Sequence, residues 1–118
     1  MAQKHIVVFG SLRQHSKRGY NFNRFGGQTF IKPLELEGYD MFDLGAYPAI
    51  AEGKGKIQCE LHSIEDRSFL SVQRMEAGAG YTEKTLDIEG VPATIFVMSP
   101  QMLKAYGKVK PYPSGDWN

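Results

Sequence analysis

Glu76 is the carboxylate whose position in this chain best suits acid–base chemistry. It is preceded by Phe69, Val72 and Met75, which recur at a spacing of three, and is followed by a glycine-rich segment, residues 77–80. This pattern predicts a helix that ends near Glu76, where the negative end of the helix dipole disfavours ionisation and raises a carboxyl pKa. Such a group can act as a general base near neutral pH. The alternative interpretation is a surface glutamate at a frayed helix end.

A turn at Gly10 and Ser11 is the second candidate, because it ends an apolar, β-branched run at residues 6–9 that predicts a buried strand. Glycine lets the backbone approach a ligand closely, and successive amide groups at such a turn can bind an anion. The sequence here lacks both the dinucleotide-binding fingerprint and the Walker lysine. A simple tight turn without a ligand is the alternative.

The residues that bind metals or act as nucleophiles elsewhere give little signal in this chain. His5, His15 and His62 stand far apart and lack ligand spacing, so we predict no metal site and expect ordinary surface or strand histidines. Cys59, the single cysteine, excludes an internal disulfide. It lies in an alternating apolar pattern, which favours a small core residue over a nucleophile.

Residues 13–27 interleave four cationic side chains with three aromatic ones and contain several glycines and asparagines, which is typical of a long irregular loop. Such cations can bind phosphates, and Tyr20 or Phe22 can stack on bases. The 14 Lys and Arg residues are nearly balanced by 13 Asp and Glu residues. This balance argues against nucleic acid as the partner. A solvated loop whose aromatic rings pack on the sheet is the alternative.

Length and composition predict a single domain over residues 1–118. The hydrophobic fraction of 42% is typical of a globular protein rather than a disordered one. The sequence has no signal-peptide core and no apolar run of about 18 residues, so we expect a cytoplasmic protein that does not associate with membranes.

The periodicity of the chain predicts a strand-rich α+β domain with about five or six strands and one principal helix. Ser63 or Asp66 can cap this helix, and Gly78 and Gly80 end it. Residues 47–55 are expected to form a loop. The strands are expected at residues 6–9, 29–36, 38–45, 56–64, 81–88 and 92–98, the last two as a hairpin that turns near residues 89 and 90.

The order of these motifs resembles the gamma-glutamylcyclotransferase-like family, which includes the gamma-glutamylamine cyclotransferases and the plant avirulence-induced proteins. Residues 7–13, Val-Val-Phe-Gly-Ser-Leu-Arg, are similar to the Tyr-Gly-Ser/Thr-Leu-Arg signature of that family. The resemblance covers residues 5–117. Its other elements are Asn21 in a Gly-x-Asn motif, Tyr47 and Pro48 in a Tyr-Pro loop, Glu76 at the glutamate of Leu-Asp-x-x-Glu-Gly, and Tyr81 at the start of a Tyr-x-Arg strand.

The resemblance implies a small mixed β-barrel with flanking helices and a pocket at its mouth. It also implies a reaction in which a gamma-glutamyl group closes to 5-oxoproline and releases an amine or amino acid, with Glu76 as general base. No metal or organic cofactor is implied, and the expected partner is a small gamma-glutamyl or other anionic molecule. The residues implied to bind substrate are Phe9, Gly10, Ser11, Leu12, Arg13, Asn21, Tyr47, Pro48 and Tyr81.

Three positions depart from the family pattern. Phe9 replaces the signature tyrosine, Gln73 stands where the family has an aspartate, and Glu83 stands where it has an arginine. These departures favour an alternative function, in which the same pocket binds a small anionic metabolite or nucleotide without catalysis.

Overall fold

The computed structural model describes residues 3–118, and more of these residues lie in strands than in helices. A long hairpin formed by the second and third strands is the largest single unit. In chain order the elements are β1 (Gln3–Val8), β2 (Gln28–Asp43), β3 (Pro48–Glu65), α1 (Asp66–Gly78), β4 (Thr82–Ile88), β5 (Val91–Val97), α2 (Pro100–Tyr106) and β6 (Lys110–Pro111).

The six strands form one mixed sheet in the order β4-β5-β1-β3-β2-β6. β1 lies at its centre, antiparallel to β3 and parallel to β5. The sheet curls into a half-barrel that leaves β4 and β6 as its edges. The predicted α+β class with a mixed sheet is therefore confirmed, with an open half-barrel and two helices. Within residues 3–118, neither helix is long and apolar enough to cross a membrane.

The β2–β3 hairpin shows where the predicted loop at residues 47–55 was wrong. Pro48 begins β3, a position where a strand tolerates proline. Gly53 lies within β3 at the irregularity between its paired residues Glu52 and Lys56, and glycine is needed there because a Cβ would lie 2.0 Å from a carboxylate oxygen of Asp40. The two strands predicted at residues 29–36 and 38–45 are a single strand, whose register shifts between Glu37 and Tyr39. The glycines in this region therefore accommodate close packing within a sheet.

The predicted helix exists as α1, and its apolar face packs on the sheet through the buried side chains of Phe69 and Val72. It ends at Gly78, as expected. The predicted capping was wrong, because Ser63 lies inside β3 and Asp66 is already the first helical residue. In that position the charge of Asp66 still interacts favourably with the positive end of the helix dipole.

The β4–β5 hairpin turns at Glu89 and Gly90, both of which have positive φ, as a two-residue hairpin turn requires. This hairpin was predicted, whereas α2 in the tail was not. The side chain of Ser99 caps α2 by accepting a hydrogen bond from the amide of Met102 (3.2 Å), and Pro100 occupies the first helical turn. A serine followed by proline was therefore an available signal for this short helix.

Candidate active site

A cavity of about 360 Å³ opens between the end of β1 and the C-terminal half of α1. Its volume lies in the range of small-molecule sites. The inner wall is apolar and includes the buried side chains of Ile6, Val8, Val72 and Phe96. The outer rim is formed by two loops, which contribute Tyr20, Asn21 and Arg24 from one and Ala46 and Tyr47 from the other.

Glu76 lines this cavity from the last turns of α1. Its carboxylate has no hydrogen-bond or ion-pair partner within residues 3–118, and burial raises its pKa to about 7. The sequence pattern predicted a raised pKa from the helix dipole, whereas the cause in the structure is burial in an apolar wall. The backbone carbonyl of Glu76 accepts hydrogen bonds from the amides of Ala79 (3.1 Å) and Tyr81 (3.0 Å). These bonds fix the end of the helix that carries the carboxylate.

The turn after β1 presents backbone groups to the same cavity. Gly10, Ser11 and Leu12 all line it, and the Gly10 carbonyl accepts a hydrogen bond from the Arg13 amide (3.0 Å). Position 10 requires glycine, because a Cβ there would lie 2.9 Å from the ring of Pro48. Among the residues that the structure describes, no acceptor is found for the amides of Ser11 and Leu12. Two N–H donors are therefore free to bind an anion or a carbonyl oxygen.

Asn21 holds this turn in place from the loop between β1 and β2. Its amide donates to the Ser11 carbonyl (2.8 Å), and its side-chain nitrogen donates to the Ser11 hydroxyl (3.0 Å). Asn21 also lines the cavity. The side chain thus binds the turn directly and forms part of the wall beside it.

Three aromatic residues complete the wall, and all three were implicated by the sequence. Phe9, Tyr47 and Tyr81 line the cavity together with Pro48. The Tyr81 hydroxyl donates to the Pro48 carbonyl, and burial raises the pKa of Tyr81. This bond joins the residue before β4 to the start of β3 on one side of the cavity.

Tyr106 supports this wall and was missed, because α2 was not predicted. Its hydroxyl lies 3.4 Å from the hydroxyl of Tyr47 and donates to the Ala79 carbonyl. The hydrogen bond with Tyr47, followed by burial, raises the pKa of Tyr106 to about 12. Tyr106 is therefore a neutral hydrogen-bonding residue that links α2 to the end of α1.

Arg13 is the predicted binding residue that the structure places elsewhere. It does not line the cavity, and its side chain is buried on the other side of the turn. The guanidinium donates to Glu60 (3.2 Å) and to Asp116 (2.8 Å). The prediction that Arg13 contacts substrate is therefore corrected, because its guanidinium already pairs with the side-chain carboxylates of Glu60 and Asp116.

Glu60 is the centre of a buried polar cluster next to that turn. It is 1% exposed, and its carboxylate accepts hydrogen bonds from the amides of Gln14 (2.8 Å) and His15 (3.1 Å), from Arg13, and from the ring of His62 (2.9 Å). Burial alone would raise the pKa of Glu60, but these hydrogen bonds outweigh it and lower the pKa. The carboxylate is thus held ionised.

Among residues 3–118, His62 is the only histidine in the core, and burial lowers its pKa despite the nearby Glu60. The side-chain nitrogen of Gln28 lies 2.8 Å from its Nδ1 and also donates to the Leu12 carbonyl (2.9 Å). A neutral ring that accepts at Nδ1 and donates from Nε2 to Glu60 satisfies both contacts. The cluster therefore extends to the backbone of the turn that lines the cavity.

Other candidate chemistries receive no support from the described part of the chain. Within residues 3–118, no group of three or more His, Cys, Asp or Glu side chains could hold a metal ion. Cys59 is a core residue, as predicted, and burial raises the pKa of its thiol to about 12.

A search against protein families matches residues 6–118 to the family described as gamma-glutamyl cyclotransferase, AIG2-like. The chain belongs to this family. The resemblance inferred from the sequence motifs is thereby confirmed. The gamma-glutamylcyclotransferase family protein YtfP of Escherichia coli is 24% identical over 113 residues, which cover 95% of this chain and 94% of YtfP.

Two solved structures support the same fold for this family member. The protein PH0828 of Pyrococcus horikoshii superposes with a TM-score of 0.73 over 97% of this chain and 89% of that one, at 23% identity. In sequence it is 28% identical over 76 residues, which span 64% of this chain and 62% of PH0828. An AIG2-like protein of the mouse gives a TM-score of 0.72 over the whole chain and 90% of its own, at 16% identity.

Proposed function

We propose that this chain cleaves gamma-glutamyl conjugates to 5-oxoproline and a free amine or amino acid, with Glu76 as the general base. The observation that carries this proposal is a carboxylate without a hydrogen-bond partner in the described chain, with a pKa of about 7, in an apolar cavity of about 360 Å³. Membership of the gamma-glutamyl cyclotransferase, AIG2-like family supports it.

The reaction begins at the α-amino group of the glutamyl part, which must lose a proton before it can attack. The Glu76 carboxylate takes that proton. The amine nitrogen then forms a bond with the side-chain carbonyl carbon and closes a five-membered ring. The attacking nitrogen still carries a second proton that it must lose, and this proton passes to the leaving nitrogen as the bond from the carbonyl carbon to that nitrogen breaks. Protonated Glu76 then gives the first proton to the released amine, which leaves as an ammonium ion, and the ring nitrogen keeps one hydrogen. The carboxylate is thereby restored, and atoms and charge balance.

The amides of Ser11 and Leu12 supply the complementary electrostatics. During ring closure the carbonyl oxygen becomes negatively charged, and preorganised N–H donors stabilise such an oxyanion. Glu60 and Asn21 contribute indirectly, because both hold the segment that carries these amides. The apolar wall favours the folded conformer of the glutamyl chain, which reduces the entropy cost of an intramolecular attack.

Release of 5-oxoproline from a panel of gamma-glutamyl amines and gamma-glutamyl dipeptides tests the proposal. We expect turnover by the wild type and a loss of roughly 10²–10⁴-fold in kcat for Glu76→Gln, which keeps the size of the side chain but cannot accept the proton. Glu37→Gln is the matched control, because that side chain is 76% exposed on β2. Equal turnover by wild type and Glu76→Gln would remove Glu76 from the mechanism.

The second candidate is a pocket that binds a small anion without catalysis. Phe9 favours it, because this residue lines the cavity without the hydroxyl of the family tyrosine. Gln73 and Glu83 support this non-catalytic function less than the sequence suggested, because they hydrogen-bond to each other and lie outside this cavity. Native mass spectrometry of the protein from its host separates the two functions. A ligand that co-purifies and is released unchanged favours binding, whereas 5-oxoproline release favours the enzyme.

A further inference from the structure

Arg24 brings a positive charge to the mouth of the cavity. Among the described residues that line the cavity, only Arg24 and Glu76 are of the Asp, Glu, Lys, Arg or His types. Arg24 is solvent-exposed, and it forms no ion pair within residues 3–118. Its guanidinium lies 5.4 Å from the ring centre of Phe25. The cation is thus available to a ligand that enters the cavity.

The loop that carries Arg24 is tied to the turn below it. The Arg24 amide donates to the Asn21 carbonyl (3.0 Å), and Asn21 in turn binds Ser11 through two hydrogen bonds. Across the mouth, the Tyr20 hydroxyl donates to the Ala46 carbonyl (3.3 Å). These contacts fix the backbone of residue 24 relative to the turn, and Arg24 lines the cavity from this position.

We propose that Arg24 selects gamma-glutamyl substrates whose leaving group carries a free carboxylate, that is, gamma-glutamyl amino acids and peptides rather than gamma-glutamyl amines. This inference rests on the proposed function. A guanidinium recognises a carboxylate through paired, charge-assisted hydrogen bonds, and it has no comparable interaction with a neutral alkyl group or an ammonium group.

The direction of the substrate in the cavity follows from the chemistry. The α-amine of the glutamyl part must reach Glu76, and the α-carboxylate is attached to the same carbon. Both groups therefore lie on the inner side, near Glu76 and the amides of the turn. The leaving group extends from the opposite end of the molecule toward the rim, where Arg24 is exposed.

The charges of substrate and cavity give a second reason to expect that Arg24 favours a leaving group with a free carboxylate. The glutamyl part carries one ammonium and one carboxylate, so its own charges cancel. A leaving group with a carboxylate adds a net negative charge, which ionised Glu76 would repel. Arg24 is the lining residue that compensates for it. Without this cation, the same cavity would favour neutral or cationic leaving groups.

A pair of compounds that differ only in the charge of the leaving group tests the inference. We compare kcat/KM for gamma-glutamyl-alanine and gamma-glutamyl-alaninamide, measured by release of 5-oxoproline. For the wild type we expect a preference of roughly 10- to 100-fold for the free carboxylate, the range of a charge-assisted hydrogen bond. In Arg24→Gln we expect this ratio to fall toward one, mainly through a higher KM for gamma-glutamyl-alanine.

Arg18→Gln is the matched control. Arg18 belongs to the same loop, but its guanidinium packs over the ring of Trp117 (4.4 Å) and does not line the cavity. We expect this variant to keep the wild-type ratio. A second variant, Arg24→Lys, retains the charge without the paired geometry and should give an intermediate ratio.

The outcomes separate this inference from the function on which it rests. A wild-type ratio near one, or a ratio that Arg24→Gln leaves unchanged, overturns the role of Arg24 while turnover itself still supports the enzyme. Failure of every variant to release 5-oxoproline from either compound contradicts the proposed function, and with it the substrate preference.

Discussion

Glu60 and Glu76 are two carboxylates shielded from bulk water in one small domain, and their pKa values shift in opposite directions. Around Glu60, two backbone amides, a guanidinium and an imidazole donate hydrogen bonds to the carboxylate. Around Glu76, apolar side chains form the wall, and the described residues provide no donor. The difference shows that hydrogen bonding, rather than burial alone, decides whether a shielded carboxylate stays ionised.

The two environments suit different tasks. A carboxylate held by several donors is locked in its charged form, so Glu60 can fix the loop after β1 but is poorly suited to accept a proton. Burial destabilises the charged form of a carboxylate that has no hydrogen-bond donors, so Glu76 gains a proton readily near neutral pH. The polar cluster thus positions the turn of the cavity, and Glu76 remains available for chemistry.

The largest expected effect is on stability, from removing the charge of Glu60. In Glu60→Gln we expect the free energy of unfolding to fall by about 3–5 kcal/mol, because the change removes the buried charge that pairs with Arg13 and leaves its guanidinium only the partly exposed Asp116 carboxylate. Urea denaturation at pH 7 measures this loss. Glu76→Gln is the matched control and should be at least as stable as the wild type at this pH, because it removes an unpaired charge from an apolar wall.

Equal destabilisation by the two substitutions would contradict the difference between the two carboxylates. It would mean that Glu76 has partners comparable with those of Glu60. A loss below about 1 kcal/mol for Glu60→Gln, within the range of an exposed ion pair, would show that its cluster contributes little.

The next effect, on the order of 2 kcal/mol, is the pH dependence of stability that comes from Glu76. Its pKa is about 7 in the folded state and about 4.3 in an unfolded chain. Between these values only the folded state holds the proton, so this contribution is complete below about pH 4.3 and is lost as the pH rises to 7. Water at the cavity mouth reduces its size.

Unfolding measured from pH 4.5 to 7.5 checks this slope. The wild type should lose stability relative to Glu76→Gln as the pH rises through this window. The pKa of Glu60 is lowered, so its contribution is present above about pH 4.3 and is lost as the pH falls below that value. A wild-type curve parallel to that of Glu76→Gln would show that the Glu76 carboxyl titrates normally.

Local signals in the sequence were sufficient to predict part of this arrangement. The spacing of Phe69, Val72 and Met75 predicted α1, and the glycine after the first strand predicted a turn that does line the cavity. The family motifs predicted that Glu76 and that turn belong to the same pocket. The helix and the turn are each determined by a few neighbouring residues, so local patterns are sufficient to predict them, whereas the proximity of Glu76 to the turn was implied by the family resemblance.

The rest depended on contacts between distant parts of the chain. The first half of β3 is a strand because it pairs with residues 39–43 of β2, and Gly53 leaves room for Asp40 of that strand, whereas local composition indicated a loop. Arg13 was assigned to the substrate because its partners, Glu60 and Asp116, lie 47 and 103 residues away. No local pattern can reveal such partners.

The titration of Glu76 itself tests the central claim most directly. NMR of protein labelled with ¹³C at the glutamate side-chain carboxyls gives one resonance per residue, and Glu76→Gln and Glu60→Gln identify the two of interest. We expect a midpoint at pH about 7 for Glu76, while Glu60 remains ionised to below its ordinary pKa. A midpoint for Glu76 near the ordinary value of about 4.3 would contradict the account.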